Sequence, residues 1–173
     1  AIFQISGLPN MHLGIPCDTV ETEKVTRAML FDVVGPKYLR FAREATPVVT
    51  GADTPFLFGT ANIFRLRQAS SRFAEAFEVC LAADYQTENE DVTIISCGPE
   101  LAEALRAAYI LKSEFKIETR VINMHTVKPL DTGAITRAAV ETKAVLTAEE
   151  HQVGGLGNLV AGVLMRQPAD RRS

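Results

Sequence analysis

The stretch that decides the fold runs from Asp91 to Pro129 and reads DVTIISCGPELAEALRAAYILKSEFKIETRVINMHTVKP. A short apolar run at 92–95 ends before Pro99, which is typical of a strand buried in a parallel sheet. Pro99 suits the first position of a helix, and the apolar residues after it recur at helical spacing. A second apolar run at 117–124 predicts another strand. A strand, helix and strand of this length predict a right-handed parallel crossover.

The residues after this unit continue the same alternation. Asp131 or Thr132 caps a predicted helix that extends to about Glu141. A third short strand follows at 144–147, and a glycine-rich turn at 154–157 opens a final helix. Helices on both faces of such a sheet give three layers. We therefore predict an α/β fold, with a three-layer α/β/α C-terminal domain and a mostly parallel sheet.

Three segments are predicted along the chain. Residues 1–50 carry a short strand, a helix that Asp18 or Thr19 caps, and another strand. They form the remnant of a second α/β domain, which ends at an exposed Pro- and Gly-containing boundary. Residues 51–90 form a linker and a helical excursion, because apolar residues in 70–83 recur at helical spacing. Residues 91–173 form the three-layer domain. Because the sequence starts at Ala1, inside what reads as an element, we expect a fragment.

Composition and charge exclude several classes of function. The chain has 173 residues, of which 47% are hydrophobic, enough for a real core. Its 18 basic and 21 acidic residues give a net charge of -3 without a basic cluster, which argues against nucleic acid as a partner. No apolar run approaches the roughly 18 residues that span a bilayer, so we expect no membrane partner. Three widely spaced cysteines without a CxxC pattern predict reduced thiols and a cytoplasmic location.

Several polar residues at the ends of predicted strands are candidates for chemistry. Cys97 and His125 each follow a strand, at the edge where open α/β sheets bind ligands. We favour a buried, inert cysteine and a hydrogen-bonded turn histidine. Glu149, Glu150 and His151 combine two carboxylates with an imidazole but lack a recognised metal-ligand spacing. A polar cluster at the end of a strand is the favoured interpretation of these three residues.

Two features suit an anionic ligand. The turn at 154–157, GGLG, offers backbone N–H groups to a phosphate, but it lacks the GxGxxG order, so a tight packing turn is favoured. Arg40 and Arg43 follow a predicted strand at 37–41, and an arginine at a strand's carboxyl end binds anionic substrates with its planar fork. Residues three apart on a strand point to opposite faces, so at most one of the two faces a given cleft. From the residues alone, a surface ion pair is as well supported as a contact with an anionic substrate.

Six segments, in this order, resemble the carboxyl-terminal part of a transketolase. They are LPNMHLGIPCDTVET, GPKYLRFAREATPVV, FGTANIF, DVTIISCGPELAEAL, TRVINMHTVKPLD and AVLTAEEHQVGGLGNLVAG. The match extends over nearly the whole chain. The boundary near residue 50 coincides with the family's junction between its pyrimidine-binding and carboxyl-terminal domains. AREATPVV and AEEHQVGGLG resemble transketolase more closely than deoxyxylulose phosphate synthase or the β chain of 2-oxoacid dehydrogenases.

The resemblance implies an enzyme that uses thiamine diphosphate and a divalent metal, Mg2+ or Ca2+, to transfer a two-carbon ketol unit between sugar phosphates. The family's catalytic, cofactor and metal residues lie upstream of the position that Ala1 matches. This chain is therefore expected to hold none of them and to be non-catalytic by itself. Arg43 matches, by its spacing, the family arginine that contacts the substrate phosphate. The implied partners are the missing N-terminal transketolase domains or subunit, in a homodimer.

A second hypothesis of a different class is a stand-alone α/β binding or assembly module of flavodoxin-like layout. In that case the strand-end residues Cys97, His125 and His151 surround a ligand. Reading the DNA upstream of the codon for Ala1 separates the two hypotheses. A continuous or adjacent reading frame that encodes a glycine-rich diphosphate-binding domain supports the first hypothesis, and an unrelated neighbour supports the second.

Overall fold

The computed structural model describes residues 2–67 and 73–167. The N-terminal part holds two short strands and two helices. In chain order these are α1 (Ile2–Ser6), β1 (His12–Gly14), α2 (Thr19–Phe31) and β2 (Lys37–Leu39). β1 and β2 are parallel and α2 connects them, so they form the strand, helix and strand unit predicted for this segment.

The C-terminal part contains the larger sheet. Its elements are β3 (Asn62–Leu66), a 3-10 helix (Phe73–Ala76), β4 (Phe77–Leu81), β5 (Val92–Ser96), α3 (Glu100–Phe115), β6 (Thr119–Asn123), β7 (Thr126–Lys128), α4 (Thr132–Glu141), β8 (Ala144–Ala148) and α5 (Leu156–Met165). The strand order is β4-β3-β6-β5-β8. β5 is parallel to β6 and to β8, and β3 is antiparallel to both β4 and β6. Four of these strands therefore share one direction, and β3 alone opposes them.

Helices cover both faces of this sheet, which confirms the predicted three layers. On one face, α3 packs Leu101 and Leu105 into a cluster with Ile94, Val121 and other buried residues. The opposite face carries α4 and α5, whose apolar residues join a second cluster. That cluster includes Ile95, Ile122, Ile135, Leu156 and Val160. Alternate residues of β5 and β6 thus point to opposite cores, as the period of a strand requires.

The helical excursion predicted within 51–90 is wrong for the residues described. Residues 73–76 form one short 3-10 helix, and 77–81 then form β4. Each residue of β4 pairs with one of β3, from Phe77 opposite Leu66 to Leu81 opposite Asn62. This ladder overrides the helical spacing of the apolar side chains. The first three residues of the predicted helix, 70–72, lie outside the described residues.

The two parts of the chain share a sheet that the sequence did not predict. β7 pairs antiparallel with β1, so the second sheet has the order β2-β1-β7. The domain boundary near residue 50 stays a prediction. Among the described helices, none has the length and apolar character that crossing a bilayer requires.

Candidate functional site

Arg40 and Arg43 lie in the loop 40–48 after β2, and the structure gives them different surroundings. The backbone N–H of Arg40 donates to the Gly14 carbonyl over 3.0 Å, and its guanidinium forms an ion pair with Glu150. Arg43 is exposed, and it forms no hydrogen bond or ion pair with any described residue. Arg43 is therefore the arginine of this loop whose guanidinium is available to an anion.

The far end of this loop is held by Asp18, the N-cap of α2. Its carboxylate accepts the backbone N–H groups of Val49 and Thr50 over 2.8 and 2.7 Å, and the Thr50 hydroxyl donates to it as well. Two turns into the helix, Lys24 Nζ donates to two carbonyl groups in the segment 51–54, each over 2.6 Å. The start of α2 thus fixes the path of the linker. The sequence predicted Asp18 as a cap but gave no sign of these contacts.

Glu21, in the first turn of α2, joins the two parts of the chain. One carboxylate oxygen accepts the Cys17 N–H over 2.8 Å, and the other accepts from Asn123 Nδ2, at the end of β6, over 2.6 Å. Glu21 is only 2% exposed. Burial raises its pKa to about 7, and the nearby Asp18 charge adds to the rise, while both hydrogen bonds oppose it. No local pattern indicates this contact, because its partners are 102 residues apart.

The carboxyl edge of the larger sheet is covered by the chain itself. The Ile15 N–H donates to the His125 carbonyl over 2.7 Å, and the Gly98 N–H donates to the Ile15 carbonyl over 3.2 Å. Gly98 has a φ of +63°, and a Cβ there would lie 2.9 Å from Ile15 Cγ2. The segment between β1 and α2 therefore lies directly against the ends of β5 and β6. This is the edge where open α/β sheets bind ligands.

Cys97 and His125 are buried at this edge, in agreement with the favoured interpretations. Burial raises the pKa of the Cys97 thiol to about 12, and the Glu149 charge adds to the rise. His125 is fully buried, its ring lies 4.6 Å from the Phe56 ring between centroids, and Nδ1 lies 3.0 Å from Thr126 Oγ1. Burial lowers the pKa of His125 to about 4, so its ring is neutral at pH 7.

The three residues after β8 make three separate contacts. Glu149 accepts the backbone N–H groups of Leu156 and Gly157 over 2.6 and 2.8 Å, at the amino end of α5. Glu150 is the partner of Arg40. His151 Nε2 accepts the Ile2 N–H over 3.3 Å. The N–H groups of Gly154 and Gly155 donate to Asn158 Oδ1 and to the Gln152 carbonyl, so all four N–H groups of the GGLG turn have partners within the chain, as a packing turn predicts.

Among the described residues, no group of three or more His, Cys, Asp or Glu side chains is placed to hold a metal ion. Glu149, Glu150 and His151 diverge toward the different partners described above. Cys97 is buried among apolar side chains, whereas His125 and His151 contact different polar neighbours. The contacts of the described residues therefore give no support to a shared ligand site at these three positions.

A family model described as "Transketolase, C-terminal domain" matches residues 82–172, which is more than half of the chain. The chain belongs to the transketolase C-terminal domain family. This transketolase-family chain is 33% identical over 166 residues to one subunit of the apulose-4-phosphate transketolase of Phocaeicola vulgatus, covering 95% of the chain and 46% of that protein. It is 29% identical to human transketolase over 163 residues, covering 93% of the chain and 23% of that protein.

Solved structures agree with this membership. The structure described as "Split gene transketolase, inactive beta4 tetramer" aligns with 96% of this chain at 32% identity and a TM-score of 0.78, and 48% of that chain is covered. A transketolase from Campylobacter jejuni, at 14% identity and a TM-score of 0.59, shares the fold. The transketolase-family chain thus spans about half or less of the length of these relatives.

Proposed function

We propose that this chain is the C-terminal part of a cytoplasmic transketolase, in which Arg43 binds the phosphate group of a sugar phosphate substrate. The whole enzyme would transfer a two-carbon ketol unit between sugar phosphates, and the chain alone would be non-catalytic. The observation that carries this proposal is Arg43 itself. Its guanidinium is exposed and unpaired among the described residues, in a chain that belongs to this family.

The chemistry of Arg43 suits binding and orientation. A guanidinium presents parallel N–H donors that match two phosphate oxygens, and the contact is charge-assisted. Such contacts contribute about 1.5–3 kcal/mol. A guanidinium is not deprotonated in proteins, so this side chain would hold the substrate without acting as a general acid or base.

Thiamine diphosphate and its divalent metal do not fit the described residues of this chain. Those residues contain no metal-ligating group of three or more acidic, histidine or cysteine side chains. The amino end of α5, where a diphosphate would accept backbone N–H groups, is capped by Glu149. We therefore assign the cofactor and the metal to parts of the enzyme outside this chain.

The edge of β2 supports the idea that more protein packs on the N-terminal part. β2 pairs with β1 on one side, and its other edge pairs with no strand among the described residues. Leu30, Phe31 and Val34, near the end of α2, expose 68%, 74% and 91% of their surface. An open strand edge beside exposed apolar side chains is typical of a surface that another segment covers.

The names of the relatives support a division of the enzyme between polypeptides. One relative is named as a single subunit of a transketolase, and the related solved structure is described as an inactive β4 tetramer. We propose that this chain likewise needs missing transketolase domains or a second subunit, and that the complete enzyme is a homodimer of such units. Titration calorimetry of the chain with thiamine diphosphate and Mg2+ should give no binding heat. Tight binding would contradict the non-catalytic part of the proposal.

Arg43→Ala in the assembled enzyme tests the assigned role. The KM for a phosphorylated ketol donor should rise about 10- to 100-fold, because a charge-assisted contact is lost. The KM for an unphosphorylated donor should change little. Arg40→Ala is the matched control from the same loop, and it should lack this difference because Arg40 already pairs with Glu150. Equal effects of Arg43→Ala on both donors would refute the phosphate contact.

A further inference from the structure

Hydrogen bonds hold the loop that carries Arg43 at its two ends but not between them. Among the described residues, 41–48 make no hydrogen bond, and most of their side chains are exposed. The first anchor is the Arg40 N–H, which donates to the Gly14 carbonyl. The second anchor is the Asp18 carboxylate, which accepts the backbone N–H groups of residues 49 and 50. The orientation of Arg43 therefore depends on where these two ends are held.

The Asp18 anchor is buried and fully engaged. Asp18 is 4% exposed, and Val49 and Thr50 are 6% and 7% exposed. One oxygen of Asp18 accepts the Glu21 N–H over 2.9 Å as the helix cap, while the other accepts both backbone N–H groups of the loop end. Thr50 Oγ1 lies 2.7 and 2.9 Å from the two oxygens. A single carboxylate thus links the start of α2 to the end of the arginine loop.

We infer that Asp18 is a positioning residue for the anion bound by Arg43, acting through the buried hydrogen bonds to Thr50 that fix the end of the 40–48 loop. This inference rests on the proposed function, since it assigns the phosphate group to Arg43. A helix cap alone requires only the contact with Glu21. The additional contacts to Val49 and Thr50 connect the cap to the loop.

Thr50→Val separates the two roles of Asp18. It removes the hydroxyl hydrogen bonds, but it leaves the helix cap and the backbone contacts in place. In the assembled enzyme, the KM for a phosphorylated ketol donor should rise about 2- to 10-fold, as expected for one neutral hydrogen bond. The KM for an unphosphorylated donor and the kcat for both donors should stay the same. Asp18→Asn should have a larger effect in the same direction, and Thr50→Val carries the test if that variant does not fold.

Asp131→Asn is the matched control. Asp131 also caps a helix, α4, through the Ala134 N–H, and its other oxygen accepts the N–H of the distant Ala61, each over 2.9 Å. It therefore combines the same two kinds of contact away from the arginine loop. Asp131→Asn should leave the ratio of the two KM values unchanged. An equal change of this KM ratio in Asp131→Asn would mean that Asp18 contributes only to the overall stability of the fold, and it would overturn the inference.

A double-variant cycle distinguishes failure of this inference from failure of the proposed function. If Thr50 acts through Arg43, Thr50→Val should lose its effect on the phosphorylated donor when Arg43 is already alanine. An undiminished effect in that background would overturn the positioning role. If Arg43→Ala alone shows no preference for the phosphorylated donor, the proposed function fails. Hydrogen exchange still tests the anchor in that case: Thr50→Val should speed the exchange of the buried backbone amides at positions 49 and 50, which donate to Asp18, and unchanged rates would refute the anchor.

Discussion

Replacing Glu21 by glutamine should change how the stability of the chain depends on pH. The carboxylate is buried between Cys17 and Asn123 without an ion-pair partner among the described residues. Glutamine has nearly the same shape and no charge. The buried Oδ1 of Asn123 has no partner among the described residues, so a turned Asn123 amide can accept from the new Gln side chain. We therefore expect Glu21→Gln to fold.

The magnitude follows from the difference in pKa between the folded and unfolded chain. The pKa of Glu21 is 4.5 in the unfolded chain and about 7 in the folded chain. Between these pH values the folded chain therefore binds one proton that the unfolded chain does not bind. Folding is then favoured by protonation, and wild-type stability falls as the pH rises through this window. Between pH 5 and pH 8 the loss attributable to Glu21 is about 2–3 kcal/mol. Glu21→Gln cannot lose a proton, so it should escape this loss.

Urea unfolding of both proteins at several pH values between 5 and 8 measures the effect. The free energy of unfolding of Glu21→Gln, minus that of the wild type, should rise by about 2–3 kcal/mol across this range. Glu23→Gln, at an exposed position of the same helix, is the control and should give a nearly flat difference. If the Glu21→Gln difference is also flat, the carboxylate does not carry a proton into the folded state, and the reasoning is refuted.

Further predictions concern the buried charges and the covered sheet edge. Arg120→Met should lower the free energy of unfolding by about 3 kcal/mol, because it removes the partner of the buried Glu90 at 2.8 Å and leaves that carboxylate only Arg65, at 3.4 Å. Lys143→Ala, which removes an exposed ion pair with Asp91, should lower the free energy of unfolding far less in the same urea titration. Cys97 should resist iodoacetamide at pH 8 until urea unfolds the chain, and mass spectrometry detects the adduct. Gly98→Ala should lower the thermal midpoint, since its φ of +63° costs a residue with a side chain at least about 1 kcal/mol.

The sequence predicted the elements whose signals are local. The unit from β5 to β6 has an apolar run, a helical stripe and a second run within 39 residues of the chain, and the structure contains all three. Asp18 and Asp131 were recognised as candidate caps because a cap involves residues three positions apart. Such predictions need no knowledge of what packs against the element.

The sequence failed where a distant partner decides the conformation. Phe73, Phe77 and Leu81 have helical spacing, yet 77–81 is a strand because β3 offers it a complete ladder. β7 is three residues long, and it is a strand only because β1 lies beside it. The candidate site follows the same rule. The family resemblance led to the prediction of Arg43, whereas nothing in the sequence indicated the Asp18 and Thr50 contacts, which join residues 32 positions apart.

The covered edge of the larger sheet agrees with the proposal that the larger sheet holds no catalytic site. Ligands of open α/β sheets bind beyond the carboxyl ends of the strands, at backbone groups left free there. Here the backbone of Ile15 forms hydrogen bonds with the backbone of His125 and Gly98. The Glu21 carboxylate accepts a hydrogen bond from the side chain of Asn123. These contacts occupy groups that a ligand would otherwise bind, and they fix the position of α2. Since α2 also holds the end of the Arg43 loop, the sheet would support substrate binding by orienting a neighbouring segment, without touching the substrate.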